Sequence, residues 1–142
     1  MGLIFSIIAG ICMSIQGVFN TRLSEKIGLT ETNVMVQGTG IFLTLLVLLF
    51  FRKGDFKKIS DTNIFYLLGG VLGVIIIYTV MLGIESLGPT YSIATILIAQ
   101  LTTAALIDAF GIFGSDIVKF GLSKFIGIGV MVLGIIIFKW KG

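Results

Sequence analysis

The sequence predicts an all-α integral membrane protein with five transmembrane helices per chain, arranged as a single domain over residues 1–142. Hydrophobic residues make up 56% of the chain and charged residues only 12%, a balance outside the usual range of water-soluble domains. Four segments are also apolar over the roughly 17 to 25 residues that a bilayer-spanning helix needs, and a fifth is apolar over 14 residues. They cover residues 3–20, 33–51, 64–83, 91–110 and 125–138.

The first two segments each carry a pair of amide side chains. Gln16 and Asn20 are four residues apart on the first, and Asn33 and Gln37 repeat that spacing on the second, so each pair shares a helix face. The first segment lacks the basic start and cleavage site of a signal peptide, so we expect it to be retained. Because the connection between the segments is short, both pairs are expected near one membrane surface, where they either join helices or contact a solute.

The third segment combines a close-packing motif with one aromatic hydroxyl. Gly69 and Gly73 form a GxxxG pattern, which favours close helix packing. Tyr78 lies on the same segment and is a candidate for an aromatic lid over a cavity. Pro89 is expected to start the fourth helix, where its missing N–H donor costs nothing.

The fourth segment carries the best single site candidate, Gln100, near its middle. A primary amide at that depth requires a neighbouring helix, a water-filled cavity or a solute to satisfy its hydrogen-bonding groups. Asp108 follows two turns later and close to the same face. It is either a functional carboxylate inside the membrane or an interfacial one, solvated or paired with a lysine.

The connection to the fifth segment, residues 111–124, is predicted to contain a short helix. Ser115 or Asp116 would start it and Gly121 would end it. We interpret it as an amphipathic connector on the lipid headgroups. After the fifth segment, Trp140 between two lysines is expected to anchor the helix at the membrane interface.

The composition excludes several function classes. The chain has no histidine and one cysteine, Cys12, which rules out intrachain disulfides, zinc sites and histidine-based acid–base chemistry. We therefore expect no enzyme activity, no metal and no cofactor. The net charge of +3 comes from basic residues that flank the apolar segments, where lipid headgroups account for them, so no nucleic-acid partner is expected.

The odd number of segments favours a dimer. Five helices enclose little volume, whereas two facing copies give a ten-helix dimer with the geometry of inverted-repeat transporters. Lysine and arginine are only slightly more numerous on the side of the amino terminus, a weak bias toward a cytoplasmic amino terminus that leaves an antiparallel arrangement open. The partner is either a second copy or a similar five-helix chain.

Three stretches resemble a known family. Residues 98–114, IAQLTTAALIDAFGIFG, resemble the AGQ..AA..IDHFGLFG signature of the YdcZ family in the drug/metabolite transporter superfamily. Residues 14–28, SIQGVFNTRLSEKIG, and residues 127–137, GIGVMVLGIII, are similar to its first and last helices. The resemblance covers nearly the whole chain and implies a multi-pass, five-helix half-transporter of the inner membrane that exports small organic solutes as a dimer. Ala109 stands where the family usually has histidine, so Asp108 would act alone in any proton coupling.

The leading functional hypothesis is a secondary transporter that works by alternating access, with a small organic solute and membrane lipid as its partners. Asp108 is the possible coupling residue. The main alternative is a non-transporting membrane subunit whose amides and glycines dock a partner bundle. The predicted solute-binding residues at the dimer interface are Gln16, Asn20, Gln37, Tyr78 and Gln100.

Overall fold

The protein folds into five α-helices that are each long and apolar enough to span a membrane. The computed structural model describes residues 1–118 and 121–140, in which no β-strand occurs. The prediction of an all-α, five-helix membrane protein is therefore confirmed. The helices are α1 (Gly2–Ile27), α2 (Leu29–Phe51), α3 (Gly69–Leu87), α4 (Pro89–Phe110) and α5 (Leu122–Trp140).

The chain divides into two compact units, Met1–Ser86 and Leu87–Gly142. The first contains α1, α2 and nearly all of α3, and the second contains α4 and α5. The expectation of a single domain over the whole chain stays a prediction.

Two glycines that each link a pair of helices share an unusual backbone conformation. Gly28 alone separates α1 from α2, with φ 99° and ψ 157°. Gly88 separates α3 from α4, with φ 77° and ψ 160°. This region of backbone space is essentially restricted to glycine. Each glycine carbonyl accepts the first helical hydrogen bond of the next helix, from Thr32 and Ser92 respectively, at 3.1 Å.

In the first unit α1 packs against α2, and side-chain contacts join α3 to both helices. Gly17 on α1 lies against α3, because a Cβ at that position would be 3.2 Å from Val80 Cγ1 and 2.9 Å from Ile84 Cδ1. On the other side, the Asn33 side chain of α2 hydrogen-bonds to α3 at Val74. Met81 of α3 is fully buried. Small and polar residues therefore form much of this contact, as is usual between membrane helices.

The second unit is an antiparallel pair formed by α4 and α5. Near the start of α4 and the end of α5, the Lys139 ammonium lies 4.5 Å from the centroid of the Tyr91 ring, within the range of a cation–π interaction. At the other end of the pair, Asp108 of α4 and Lys124 of α5 line a common cavity. One end of the pair thus has a cation–π contact, and the other has a cavity lined by an acidic and a basic residue.

The segment after α4 is not the short helix that the sequence predicts. It folds back on the end of α4, where Ser115 Oγ donates to the Ile107 carbonyl at 3.2 Å and the Val118 N–H donates to the Asp108 carbonyl at 2.9 Å. The Ile107 carbonyl also accepts the Gly111 N–H, whereas the Val118 N–H satisfies a carbonyl in the last turn of the helix, where carbonyls lack a partner within the helix. The prediction is therefore wrong at its start, and residues 119–120 lie outside the described residues.

The polar connection before α3 contains two 3-10 helices, Phe56–Asp61 and Ile64–Leu68. Asn63 caps the second of these, since its side chain accepts the Phe65 N–H at 3.1 Å. The α-helical part of the third apolar segment therefore begins at Gly69 rather than at Ile64.

Candidate functional site

The predicted amide pair on α1 is divided by the fold. Gln16 is exposed, whereas Asn20 is only 7% exposed. Neither side chain hydrogen-bonds to another residue in the part of the chain that the structure describes. An amide that lacks a partner at membrane depth has a large free energy to gain from one, so both remain candidates for contact with a second chain or a solute.

The amide pair on α2 lies against α3. Asn33 is 4% exposed, and its Nδ2 donates to the Val74 carbonyl at 3.0 Å. Gln37 is half-buried, with its Nε2 3.4 Å from the point that a Cβ on Gly73 would occupy. Asn33 therefore joins helices, the first of the two roles that the sequence left open. Gln37 shares that contact through its position beside Gly73, the second glycine of the GxxxG pattern.

Two threonines that the sequence analysis did not single out are buried close to the Gly28 link. Thr21 is 4% exposed, and its hydroxyl donates to the Gly17 carbonyl at 2.8 Å. Thr32 has no exposed surface, and its Oγ1 has no hydrogen-bond partner among the described residues. The one sequence feature that could have identified these threonines is their position, because each is adjacent to an asparagine that the sequence analysis did identify. Threonine is common in apolar helices, so this signal is weak.

Tyr78 lies on α3 one helical turn after Val74 and is half-buried. It is therefore close along the helix to the carbonyl that accepts the Asn33 hydrogen bond. Its suggested action as a lid stays a prediction.

Gln100 is exposed on α4 in the second unit. It lies at the middle of a 22-residue helix, far from both ends, and its amide makes no hydrogen bond to any described residue. The hydroxyl of Thr95, also exposed on α4, is by contrast satisfied by the Tyr91 carbonyl at 2.8 Å. Gln100 is thus a mid-helix polar group that its own helix does not satisfy.

Asp108 lines a cavity of about 270 Å³ between α4 and α5. Its side chain is half-buried, and it forms no ion pair or hydrogen bond with another described side chain. Lys124 lines the same cavity. The lysine-paired alternative for Asp108 is thus not observed as a direct contact, although a lysine does face the same space.

Two further cavities between α4 and α5 have different walls. One of about 330 Å³ lies near Tyr91 and Phe138, and another of about 530 Å³ lies between Thr102 and Phe125. Neither is lined by an acidic or basic side chain. The cavity at Asp108 is therefore distinguished from these two by its opposite charges.

Comparison with known proteins identifies a family for this chain. No curated protein matches it, and no solved structure matches it. One family model does match, over residues 1–137, and its description is "Putative inner membrane exporter, YdcZ". That description is of a transporter in the inner membrane, which agrees with five helices apolar enough to span a bilayer. The match confirms the resemblance seen in the sequence, and the chain belongs to the YdcZ family of multi-pass inner membrane proteins.

Proposed function

We propose that this protein is a secondary transporter that exports a small organic solute, and that it works as a dimer by alternating access. The family description supports export across the inner membrane. This sequence has no histidine, one of the usual residues for acid–base chemistry, which supports transport rather than catalysis.

The observation that carries the proposal is the exposed amide of Gln100. Gln100 lies at the middle of α4, which supports a position in the hydrocarbon layer. Moving an amide from water into an apolar phase without a hydrogen-bond partner costs on the order of several kcal/mol. Lipid chains offer no hydrogen bonds. The amide therefore has to face another protein surface, a water-filled cavity or a solute when the protein is in a membrane.

A second chain provides that environment. Gln16 is also exposed, so two amides on different helices require cover that a single chain does not give them. Two copies, or this chain with a similar five-helix chain, would enclose these amides at an interface near the middle of the membrane. An antiparallel arrangement would place opposite openings on the two sides, which is what alternating access needs.

The solute site is assigned to polar side chains that retain hydrogen-bonding capacity. Gln16, Asn20 and Gln100 have no side-chain partner among the described residues. Gln37 and Tyr78 are half-buried and would complete the lining. Asp108 is the possible coupling residue, since it is an intramembrane carboxylate without an ion-pair partner in the described chain.

Replacement of Gln100 by leucine tests this proposal. Cells that express wild type, Gln100→Leu, the control Thr95→Leu or an empty vector are compared by mass spectrometry of small organic compounds inside and outside the cells. Thr95→Leu also adds a leucine to an exposed position of α4, but it removes a hydroxyl that is already satisfied by its own helix. We expect a compound that wild type and Thr95→Leu export and that Gln100→Leu does not.

The state of the dimer separates this function from its alternative. Chemical cross-linking, in membranes, of the three samples that express the protein should show the Gln100→Leu dimer at the wild-type level if the amide binds solute. Loss of the dimer in Gln100→Leu, without export by any sample, would instead support a non-transporting subunit whose amides dock a partner. Export that is unchanged in Gln100→Leu would contradict the assigned site.

A further inference from the structure

The connection between α2 and α3 carries the densest group of basic residues in the sequence. Arg52, Lys53, Lys57 and Lys58 fall within seven residues of one another. Every residue from 52 to 63 is exposed, and this stretch is called the basic connection below. It contains none of the residues assigned to the solute site, so its charges call for a separate explanation.

The two acidic residues of the basic connection do not neutralise its cations. In the part of the chain that the structure describes, none of the four basic side chains forms an ion pair. The Asp55 side chain instead accepts the Lys57 N–H at 3.0 Å, and the Asp61 side chain accepts the Ser60 hydroxyl at 3.4 Å. The four cations therefore remain available to an anion from outside the chain.

The 3-10 helix Phe56–Asp61 within the basic connection has one apolar side. A 3-10 helix has three residues per turn, so residues three apart share a side. Phe56 and Ile59 therefore share one side, and they are 60% and 46% exposed. Lys57 and Lys58 lie on the other two sides. A segment that separates apolar from basic residues in this way is typical of a membrane surface.

Both ends of the basic connection are tied to apolar helices. Phe51, the last residue of α2, comes directly before it, and the apolar segment Ile64–Leu87 comes directly after it. No basic residue of the connection is more than six residues from the nearer of these two ends. The cations are therefore held close to the layer of lipid headgroups, where attraction to anionic lipids is strongest.

We propose that the basic connection is a binding surface for anionic phospholipids, with lipid phosphates at the four basic side chains and acyl chains against Phe56 and Ile59. A zwitterionic headgroup carries an ammonium group that these cations would repel, so an anionic headgroup is the better match. An acidic protein segment would match the charge but would not provide an apolar phase for the two apolar side chains. The inference is independent of the proposed transport.

A tryptophan on the apolar side of the basic connection can report which lipid lies beside it. Trp140→Phe removes the single tryptophan of the chain, and Phe56→Trp introduces one at the connection. This full-length reporter protein is placed in nanodiscs of phosphatidylcholine with a minority of phosphatidylglycerol. Fluorescence quenching is measured with bromine on the acyl chains of one lipid or of the other. The ratio of the two, corrected for composition, is the local enrichment of phosphatidylglycerol.

Phosphatidylglycerol should be enriched at this tryptophan by at least about fivefold, the effect of one lysine or arginine near an anionic surface. The pair Lys57→Gln and Lys58→Gln should lower the enrichment several-fold. Replacement of all four basic residues by glutamine should bring the enrichment close to one. Added potassium chloride should also lower it, because salt screens exposed charges.

The matched control removes two cations at the other end of α2. Arg22→Gln with Lys26→Gln causes the same change of charge in the same compact unit, but Arg22 is already paired with Glu25 at 3.0 Å. The 23 residues of α2 place this control about 35 Å from the basic connection, at 1.5 Å per residue. We expect the control to leave the enrichment unchanged. Circular dichroism establishes that every variant is folded.

Several results would overturn the proposal. Equal quenching by the two lipids in the reporter protein would contradict a lipid surface and favour an acidic protein segment as the occupant. Enrichment that survives replacement of all four basic residues would contradict their role. An equal loss in the control with Arg22→Gln and Lys26→Gln would show an effect of net charge alone. Loss of the enrichment in inorganic phosphate, but not in potassium chloride of equal ionic strength, would indicate a site for the free ion instead of a lipid.

Discussion

The one-residue link at Gly28 should be a point where a single methyl group destabilises the protein. Gly28 has φ 99° and ψ 157°, a conformation that essentially only glycine adopts without strain. Alanine there is expected to lower the free energy of unfolding by about 1 to 3 kcal/mol, the cost of holding a residue in a sparsely populated backbone region. The cost arises because α1 and α2 are joined by no other residue that could absorb the change.

A second effect at the same position has to be separated from backbone strain. The added Cβ would collide with the Glu31 carboxylate, which is the mobile end of a flexible side chain and can turn away. The Gly28→Ala change is therefore measured with Glu31 present and with Glu31→Ala. If backbone strain dominates, the loss of stability is nearly the same in both.

The assay is unfolding of the detergent-solubilised protein by sodium dodecyl sulfate, followed by circular dichroism. Gly38→Ala is the control, since Gly38 lies inside α2 and a Cβ there would meet no other atom within 4 Å. That change should raise stability by about 0.5 to 1 kcal/mol, because alanine favours a helix over glycine. If Gly28→Ala and Gly38→Ala shift the unfolding transition equally, the argument from backbone strain is wrong.

Two further predictions concern the contacts of α3 and use the same unfolding assay. Gly17→Leu should lower the free energy of unfolding by about 1 to 3 kcal/mol, because the leucine side chain must displace Ile84, whose Cδ1 is already 2.9 Å from the Cβ position. The double variant with Ile84→Ala should lose less stability than the sum of the two single variants. Fully additive losses would contradict the contact. Asn33→Leu should cost about 0.5 to 1.5 kcal/mol through loss of its 3.0 Å bond to the Val74 carbonyl, and an unchanged transition would show that this bond contributes nothing.

Hydropathy predicts the helices well and their ends poorly. The five apolar segments all lie within helices or their 3-10 extensions, because the bilayer requires backbone hydrogen bonds to be satisfied within each segment. The ends depend on other forces. The first helix continues past Asn20 to Ile27, since helical hydrogen bonding does not stop where hydrophobicity does. The sequence does not show that Gly28, one of 19 glycines, forms the whole link between two helices.

The error after α4 has a physical cause. The pattern from Ser115 to Gly121 has a plausible cap at each end, and local capping chemistry alone favours a helix there. The preceding helix end offers a competing use for the same groups. The Val118 N–H donates to the Asp108 carbonyl in the last turn of α4, where carbonyls lack a partner within the helix. This competition depends on a tertiary turn that local sequence does not encode.

The candidate site was predictable in composition but not in arrangement. The sequence identifies the polar residues because few occur in apolar segments. It does not reveal that the Asn33 side chain hydrogen-bonds to α3 while the Gln100 side chain is exposed, because that depends on which face of each helix a neighbour covers. The sequence allowed a lysine partner for Asp108 without identifying which one, because only the packing of α5 on α4 brings Lys124 to the cavity of Asp108.

The difference between Asn33 and Gln100 provides a general criterion for separating structural amides from functional ones in this membrane protein. An amide already bonded within the chain stabilises the fold, so its removal should reduce stability. An exposed amide at membrane depth raises the free energy of the isolated chain, and this cost is removed only when a protein surface, water or a solute covers the amide. Permanent cover by a second chain would make it structural again, whereas transient cover by a solute is what transport requires. We therefore expect Gln100→Leu to abolish export while the unfolding transition of the monomer is unchanged or raised. Asn33→Leu is expected to lower the unfolding transition.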